Sequence, residues 1–226
     1  MPVIQHGLVA RATKTVRFSM MNMTMFHQVQ SVTVYCSSSS TVPRVYFDIA
    51  TELGTAMARE DLTLIYGGNS VGVMQALADS VRAARGKVIG ITPQLLLDKG
   101  IADRHCDELI VTATMRERKM LMEDRGDAFI TLPGGLGTFE EIFEIIVGKQ
   151  LGYHNKPIVL MNVAGYFDPL LAMIEHGIEH QFIKPCAREL YFVTDQVATA
   201  IEYLRNYSPT PIEEKWSKKS PPSAVE

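Results

Sequence analysis

Short apolar runs alternate with longer segments of helical periodicity along almost the whole of residues 31–207. The apolar runs, rich in β-branched residues, predict strands at residues 31–36, 62–66, 87–91, 108–112, 128–132, 157–161 and 191–194. The segments between them predict helices at residues 42–59, 71–85, 115–125, 138–150, 167–176 and 196–207. Strands that alternate with helices favour a parallel sheet with helices on both faces, and continuous apolar strands are typical of such a sheet. The sequence therefore predicts an α/β fold, a Rossmann-like doubly wound parallel sheet, as a single domain.

The two ends of the chain differ in composition from this central part. Residues 1–30 hold five of the twelve methionines and no acidic residue, and we interpret them as a disordered leader, with Met25 as an alternative start. Residues 208–226 combine prolines with Lys, Ser and Glu, a composition that buries little apolar surface, so we predict a disordered tail.

Composition argues against several classes of function. The net charge is −3 and basic residues do not cluster with aromatic ones, so we expect no nucleic acid partner. No run of about 18 apolar residues occurs, so we expect no transmembrane helix and no membrane partner. The three cysteines, Cys36, Cys106 and Cys186, lie far apart, which argues against a disulfide framework or a zinc site and favours a reducing compartment. We therefore predict a cytoplasmic protein without a bound metal.

The segment 131–141, Thr-Leu-Pro-Gly-Gly-Leu-Gly-Thr-Phe-Glu-Glu, connects a predicted strand to a predicted helix. Its glycines let backbone N–H groups turn towards a ligand, and a helix N-terminus with free N–H donors suits a phosphate. Glu140 and Glu141 are predicted to lie in the first helical turn, where a carboxylate beside a bound anion is unfavourable. The presence of a carboxylate there would be explained if a sugar carbon next to the phosphate becomes positively charged during the reaction. The structural alternative, which helix physics alone favours, is a capping box between Thr138 and Glu141.

Two further loops rich in serine or glycine follow predicted strands. They are Cys-Ser-Ser-Ser-Ser at residues 36–40 and Gly-Gly-Asn-Ser-Val-Gly at residues 67–72. The carboxyl ends of the strands share one edge of such a sheet, so these loops and residues 134–138 together predict a nucleotide-sized site. None of the loops contains a dinucleotide fingerprint or a Walker motif, which argues against hydride transfer and ATP hydrolysis. The alternative for residues 37–40 is a polar turn that caps the following helix.

A pair of cations, Arg118 and Lys119, is predicted in the first turn of the helix that precedes the glycine segment. A solvated charged face is the ordinary interpretation of such a run. The position near a strand end favours a functional one, because two cations beside a phosphate loop offset the charge of the anion.

These motifs make the chain resemble the LOG ("Lonely Guy") family, which also carries the label "lysine decarboxylase-like". The family motif PGGxGTxxE is matched in full from Pro133 to Glu141, and an Arg-Lys pair that opens the preceding helix is matched by Arg118 and Lys119. The similarity runs from about Val32 to about Asn206. At the second loop, Asn69 and Gln75 stand where most members have glycine.

The resemblance implies a phosphoribohydrolase without a cofactor. Its members cleave the N-glycosidic bond of adenine-type nucleoside 5′-monophosphates, including cytokinin riboside monophosphates and, for some members, AMP, to the free base and ribose 5-phosphate. By position, Arg118 and Glu141 match the catalytic residues. Substrate and phosphate contacts are predicted at Met115, Lys119, Gly134, Gly135, Gly137, Thr138, Ser37, Ser38, Gly67, Gly68 and Gly72. The resemblance also implies a homodimer.

The residues support a mechanism in which an ionised Glu141 stabilises positive charge on the ribose or attacks C1′. We expect the helix N-terminus and the cationic pair to favour the ionised form. A guanidinium is a poor proton donor, so Arg118 is expected to grip phosphate or ribose and to orient Glu141. The group that protonates the leaving base is not evident from the sequence.

Three other functions compete with this interpretation. The main one is a non-catalytic nucleotide carrier or sensor, since Rossmann-like folds host both kinds of protein. His176, Glu179 and His180 fit the HxxEH pattern of some zinc peptidases, but Gly177 weakens the helix that this site needs. A pyridoxal-phosphate decarboxylase is disfavoured because no recognisable context for a Schiff-base lysine occurs.

Overall fold

Strands and helices alternate through residues 29–209, the part of the chain that the computed structural model describes. The strands are β1 Ser31–Tyr35, β2 Thr63–Tyr66, β3 Val88–Pro93, β4 Glu108–Thr112, β5 Ala128–Thr131, β6 Ile158–Met161 and β7 Phe192–Thr194. The helices are α1 Arg44–Arg59, α2 Gly72–Ala83, α3 Gln94–Asp98, α4 Met115–Arg125, α5 Leu136–Gln150, α6 Asp168–Glu179 and α7 Val197–Arg205. Short 3-10 turns occupy Val163–Gly165 and Pro185–Glu189. The predicted leader and tail lie outside the described residues, apart from the two positions at each inner end.

The strands form one parallel sheet in the order β4-β3-β2-β1-β5-β6-β7. The chain builds outwards from β1 to β4, then returns to the other side of β1 and continues to β7. The strand order therefore reverses between β1 and β5, where Tyr35 pairs with Thr131. This is the doubly wound α/β fold that the sequence predicted, and the reversal point is where such folds bind ligands.

Two apolar cores lie on opposite faces of the sheet. Helices α1, α2 and α7 cover one face, where Val34 and Leu53 are fully buried. Helices α4, α5 and α6 cover the other, where Phe129 and Ile142 are fully buried. Successive strand residues point to opposite faces, so Val34 and its neighbour Tyr35 belong to different cores. The central strands are buried on both faces, which explains their continuous apolar runs.

Two helices differ from the prediction for identifiable reasons. Helix α3 was not predicted, because none of its five residues is buried and it therefore has no apolar periodicity. Helix α6 continues through Gly177 to Glu179 instead of ending at residue 176. Gly177 is tolerated there because the side chain of Ile183 fills the space that a β-carbon would occupy.

Candidate active site

The predicted loops meet at the carboxyl edge of the sheet, next to the reversal of strand order. The loop after β1 contacts the start of helix α2, which follows the loop after β2, because the Ser37 carbonyl accepts a hydrogen bond from the Met74 N–H at 3.2 Å. A β-carbon at Gly72, whose φ is +57°, would overlap the carbonyl oxygens of Ser38 and Ser39. These two parts of the site are therefore held together by contacts that leave no room for a side chain at Gly72.

Arg118 connects the second loop to the helix of the third. Its Nε donates to the Ile91 carbonyl of β3 at 3.0 Å, and its Nη1 donates to Glu141 Oε1 at 2.9 Å and to Met115 Sδ at 3.5 Å. Gly67 lies against the guanidinium, where a β-carbon would overlap Nη2. Only 5% of Arg118 is exposed, so the solvated charged face proposed as an alternative is wrong for this residue.

Glu141 is the acidic partner in this buried ion pair, and it is 7% exposed. Burial raises the pKa of Glu141 above the ordinary glutamate value, and the charge and hydrogen bond of Arg118 oppose this effect. The expectation that the surroundings favour the ionised form is therefore wrong for the net effect, because burial outweighs the favourable charges of Arg118 and Lys119. Removal of one partner from such a pair costs roughly 3–5 kcal/mol, because it leaves an uncompensated buried charge.

The predicted capping box at Thr138 and Glu141 is wrong. Helix α5 begins at Leu136 with Gly135 as its N-cap, so Thr138 lies inside the first turn and Glu141 in the second. Gly135 has the extended conformation typical of an N-cap residue, and no side-chain cap bond closes the turn. Glu140 and Glu141 are therefore not in the first turn, which contains no acidic residue.

The glycine segment has one packed side and one open side. A β-carbon at Gly134 would overlap the Thr138 side chain, and Thr138 itself is 4% exposed. At Gly135 and Gly137, by contrast, no described atom lies within 4 Å of the position that a β-carbon would occupy. Helix α5 has no side-chain cap, so its first N–H groups face this open side with the partial positive charge of the helix end. Such an arrangement suits an anion.

Lys119 lies beside the Arg118–Glu141 pair and is held by helix α5. Its Nζ contacts Glu140 Oε1 at 2.8 Å and Glu144 Oε2 at 3.0 Å. The hydrogen bond to Glu140 is the main cause of a raised pKa for Lys119. The ammonium thus ties α4 to α5, and a contact between Lys119 and phosphate stays a prediction.

The serine loop does not cap helix α1, contrary to one of its two interpretations. The Ser37 hydroxyl accepts from the Ser39 N–H at 3.0 Å, and the Ser39 hydroxyl accepts from the Thr41 N–H at 3.2 Å. Helix α1 instead begins after Pro43, which has no side chain that can cap. Ser38 is exposed at the edge of the site.

The second loop keeps its shape with Asn69 in place of glycine. Asn69 does not need a left-handed backbone, which in this loop is adopted by Gly68 and Gly72. Its side-chain oxygen accepts a hydrogen bond from the Thr92 hydroxyl at 3.2 Å, and it forms an antiparallel bridge with Ala102. Gln75 is exposed on α2.

Several residues near the site were not predicted from the sequence. Burial raises the pKa of Tyr35 and Cys36, and the charge of Glu141 contributes to both shifts, so both groups stay uncharged beside it. Asp103 supports the second loop, because its N–H donates to the Gly68 carbonyl at 2.8 Å and its carboxylate accepts from Tyr66 Oη at 2.7 Å. Tyr35 and Cys36 stand at the end of a predicted strand, a position that could have indicated that they lie near the site. No sequence feature of Asp103 indicated this.

Tyr166 was also missed. Its hydroxyl donates to the carbonyl of Gly134 at 2.5 Å. Tyr166 follows strand β6, so its position at the same sheet edge was the only sequence signal that could have indicated it.

The structure gives no support to a metal centre at the HxxEH pattern. His176 and His180 stack edge to face with ring centroids 4.2 Å apart. Across residues 29–209, no three His, Cys, Asp or Glu side chains group so as to hold a metal ion. In the same range, no helix has the length and apolar character required to cross a membrane.

Solved structures share this fold at low identity. The molybdenum cofactor carrier protein of Chlamydomonas reinhardtii superposes with a TM-score of 0.59 and 22% identity, over 77% of this chain and 96% of that one. The molybdenum cofactor binding protein of Rippkaea orientalis gives a TM-score of 0.57 and 23% identity, over 77% and 93%. At these identities the likeness shows the fold alone.

Sequence comparison is more specific. The family model described as "Possible lysine decarboxylase" matches residues 74–204. The cytokinin riboside 5′-monophosphate phosphoribohydrolase of Mycobacterium tuberculosis is 43% identical over 171 residues, which cover 76% of this chain and 91% of that protein. Cytokinin riboside 5′-monophosphate phosphoribohydrolase LOG5 of Arabidopsis thaliana is 41% identical over 178 residues, which cover 79% of this chain and 78% of that protein. The chain therefore belongs to the LOG family, the family of the cytokinin riboside 5′-monophosphate phosphoribohydrolases.

Proposed function

We propose that this protein hydrolyses the N-glycosidic bond of adenine-type nucleoside 5′-monophosphates, which are cytokinin riboside monophosphates and/or AMP, to the free base and ribose 5-phosphate. The observation that carries the proposal is the buried ion pair of Arg118 and Glu141 beside an uncapped, glycine-rich helix N-terminus. The names of the relatives support the reaction class.

The open side of the glycine segment is proposed to bind the 5′-phosphate. The N–H groups at the start of α5 would act as donors, and Gly135 and Gly137 leave room for close approach of the phosphate oxygens. The contacts predicted for Ser37, Ser38, Gly68 and Gly72 would come from the two adjoining loops. Gly67 also leaves space for the guanidinium of Arg118, and its predicted contact with the substrate stays a prediction.

Glu141 is proposed to act at the anomeric carbon. As the C1′–N bond breaks, the base leaves with the bonding electrons and the ribose ring becomes positive, and a carboxylate stabilises that charge. Water then adds to C1′ and loses a proton while the departed base gains one, which gives ribose 5-phosphate and the neutral free base. The hydrogen bond from Arg118 fixes the carboxylate, and a guanidinium carries its charge at any working pH.

Purified protein incubated with isopentenyladenosine monophosphate, and separately with AMP, tests the proposal. We expect chromatography to detect free base and ribose 5-phosphate in equal amounts. Tight binding of either nucleotide without release of base would indicate the competing function, a carrier or sensor. Release from only one nucleotide would restrict the substrate class.

A homodimer is proposed on the basis of an apolar stripe on α5. Leu136, Phe143, Val147 and Leu151 are exposed by 86%, 36%, 44% and 42%, and their spacing places them on one side of the helix. Exposed apolar side chains in a row are typical of an interface between proteins. Sedimentation equilibrium of the wild type and of Val147→Glu tests this, with the variant expected to shift towards monomer. The cytoplasmic location stays a prediction.

A further inference from the structure

Tyr166, which lies outside the family motif, contacts the glycine segment through a hydrogen bond. The Tyr166 hydroxyl donates a hydrogen bond of 2.5 Å to the carbonyl oxygen of Gly134. Gly134 also packs against Thr138 so closely that a β-carbon would overlap the threonine side chain. Gly134 is therefore contacted at its carbonyl by Tyr166 and at its α-carbon side by Thr138.

Because the peptide unit is rigid, fixing the Gly134 carbonyl also fixes the direction of the Gly135 N–H. A trans peptide is planar, so the Gly134 carbonyl and the Gly135 N–H lie in one plane and point in opposite directions. With the carbonyl fixed on Tyr166, the Gly135 N–H must point away from it. Hydrogen bonding to the carbonyl also polarises the peptide unit and strengthens its N–H as a donor.

The turn at Val163–Gly165, which precedes Tyr166, has a strained backbone and is stabilised by side-chain hydrogen bonds. Ala164 has a left-handed backbone with φ +52° and ψ +30°, a conformation that is unfavourable for a residue with a β-carbon. The Asn162 side chain stabilises this turn, because its oxygen accepts from the Phe167 N–H at 2.7 Å and its amide donates to Asp168 Oδ1 at 2.7 Å. Such strain persists only where neighbouring contacts determine the conformation.

Aromatic neighbours hold the ring in place. Tyr166 meets Tyr46 of α1 edge to face at 5.9 Å between centroids, Phe167 edge to face at 5.2 Å, and Phe139 of α5 in a stacked arrangement at 6.4 Å. These contacts involve the ring and not the hydroxyl. Removal of the hydroxyl alone therefore leaves the packing in place and frees only the Gly134 carbonyl.

We propose that Tyr166 is a positioning residue that holds the Gly134–Gly135 peptide so that its N–H faces the substrate phosphate. The inference rests on the proposed function, in which this segment binds the 5′-phosphate. Tyr166 does not touch the reacting atoms in this scheme. Its effect is expected on ligands that carry the phosphate and not on the chemical step.

Tyr166→Phe, with Tyr46→Phe as a matched control, tests the inference. Loss of one oriented hydrogen bond is expected to weaken binding of ribose 5-phosphate by about 5- to 10-fold in titration calorimetry, with a similar rise in KM and with kcat within about 3-fold. Binding of adenine, which has no phosphate, is expected to stay unchanged, as is the melting temperature to within a few degrees. Tyr46→Phe removes a hydroxyl from the neighbouring ring and is expected to change none of these values.

The outcomes separate this inference from the proposed function. Equal affinity of wild type and Tyr166→Phe for ribose 5-phosphate would overturn it, as would a parallel loss of adenine binding or a fall in kcat at unchanged KM. If the wild type binds ribose 5-phosphate but releases no base from any nucleotide, the proposed function fails while the binding ratio still decides the role of Tyr166. If the wild type releases base and the variant binds ribose 5-phosphate equally well, only the inference fails.

Discussion

Helices α4 and α5 both begin at the carboxyl edge of the sheet, and their N-termini are built in opposite ways. The start of α4 is closed, because the Thr114 hydroxyl accepts from the Glu117 N–H at 3.1 Å and the Glu117 carboxylate accepts from the Ala113 N–H at 2.8 Å. The start of α5 has glycines and no side-chain cap. The closed helix contributes the side chain of Arg118, whereas the open helix contributes backbone donors. The capped helix and the uncapped helix therefore provide different groups for the proposed anionic sugar substrate, namely a cationic side chain from α4 and backbone N–H donors from α5.

The largest effect on this comparison is expected from substitution of Glu141, the α5 side chain that bonds to Arg118 of α4. Glu141→Gln keeps an oxygen that can accept from Arg118 but removes the negative charge, so we expect a folded protein with kcat lowered by at least about 100-fold. Release of adenine followed by chromatography measures it. Glu140→Gln, one residue earlier and exposed, is the control and should retain turnover within a few-fold. Near-normal turnover by Glu141→Gln would make Glu141 purely structural.

The second test closes the open helix. Gly135→Asp should fold, because the N-cap conformation of Gly135 is extended and no described atom lies near the β-carbon position. The new carboxylate would cap α5 and repel a phosphate, so KM is expected to rise by roughly 100-fold while the melting temperature is unchanged or higher. Gly135→Asn adds a cap without charge, and steady-state kinetics should show a rise of only about 5-fold. Unchanged KM in both variants would place the phosphate elsewhere.

The third test uses pH to distinguish the buried carboxylate from an ordinary one. Because burial raises the pKa of Glu141, it takes up a proton at a higher pH than an exposed glutamate does. If the ionised form is active, kcat/KM should fall with decreasing pH along a limb centred above the ordinary value of 4.5. Initial rates between pH 4 and 8, with fluorescence as a control for unfolding, locate the limb. A limb at or below the ordinary value would indicate that Arg118 outweighs burial.

The smallest effect is expected at the closed helix. Thr114→Ala removes the cap of α4 and should lower the free energy of unfolding by about 1 kcal/mol, or roughly 2–4 °C in melting temperature. Calorimetry measures this change, and kinetics should show kcat within about 2-fold of the wild type. Thr55→Ala, whose hydroxyl bonds within helix α1, is the control. A loss of activity larger than the loss of stability would mean that the cap itself sets the position of Arg118.

The fold was predictable because its signal is repeated along the chain. Buried strands such as β5 are apolar throughout, and an amphipathic helix such as α1 shows one apolar face. Helix α3 lacked this signal since none of its residues is buried. The motif from Pro133 to Glu141 likewise indicated where the candidate site lies, and its role in binding and catalysis stays a prediction.

The details of the site depended on packing that no local pattern encodes. Thr138 and Glu141 have the spacing of a capping box, but the glycines allow α5 to start earlier and free Glu141 to meet Arg118. Tyr166 reaches Gly134 from a position 32 residues later, a contact that requires the strand order to be known.

The absence of a side chain at Gly67 affects how a loss of activity after substitution at this position should be interpreted. A β-carbon there would overlap Arg118 Nη2 and Met74 Cε, so an alanine would require the guanidinium that contacts Glu141 to shift. An assay would then report a catalytic lesion caused by a residue that has no functional group. Positions 67 and 118 are thus sterically coupled, because a side chain at position 67 requires the guanidinium at position 118 to move.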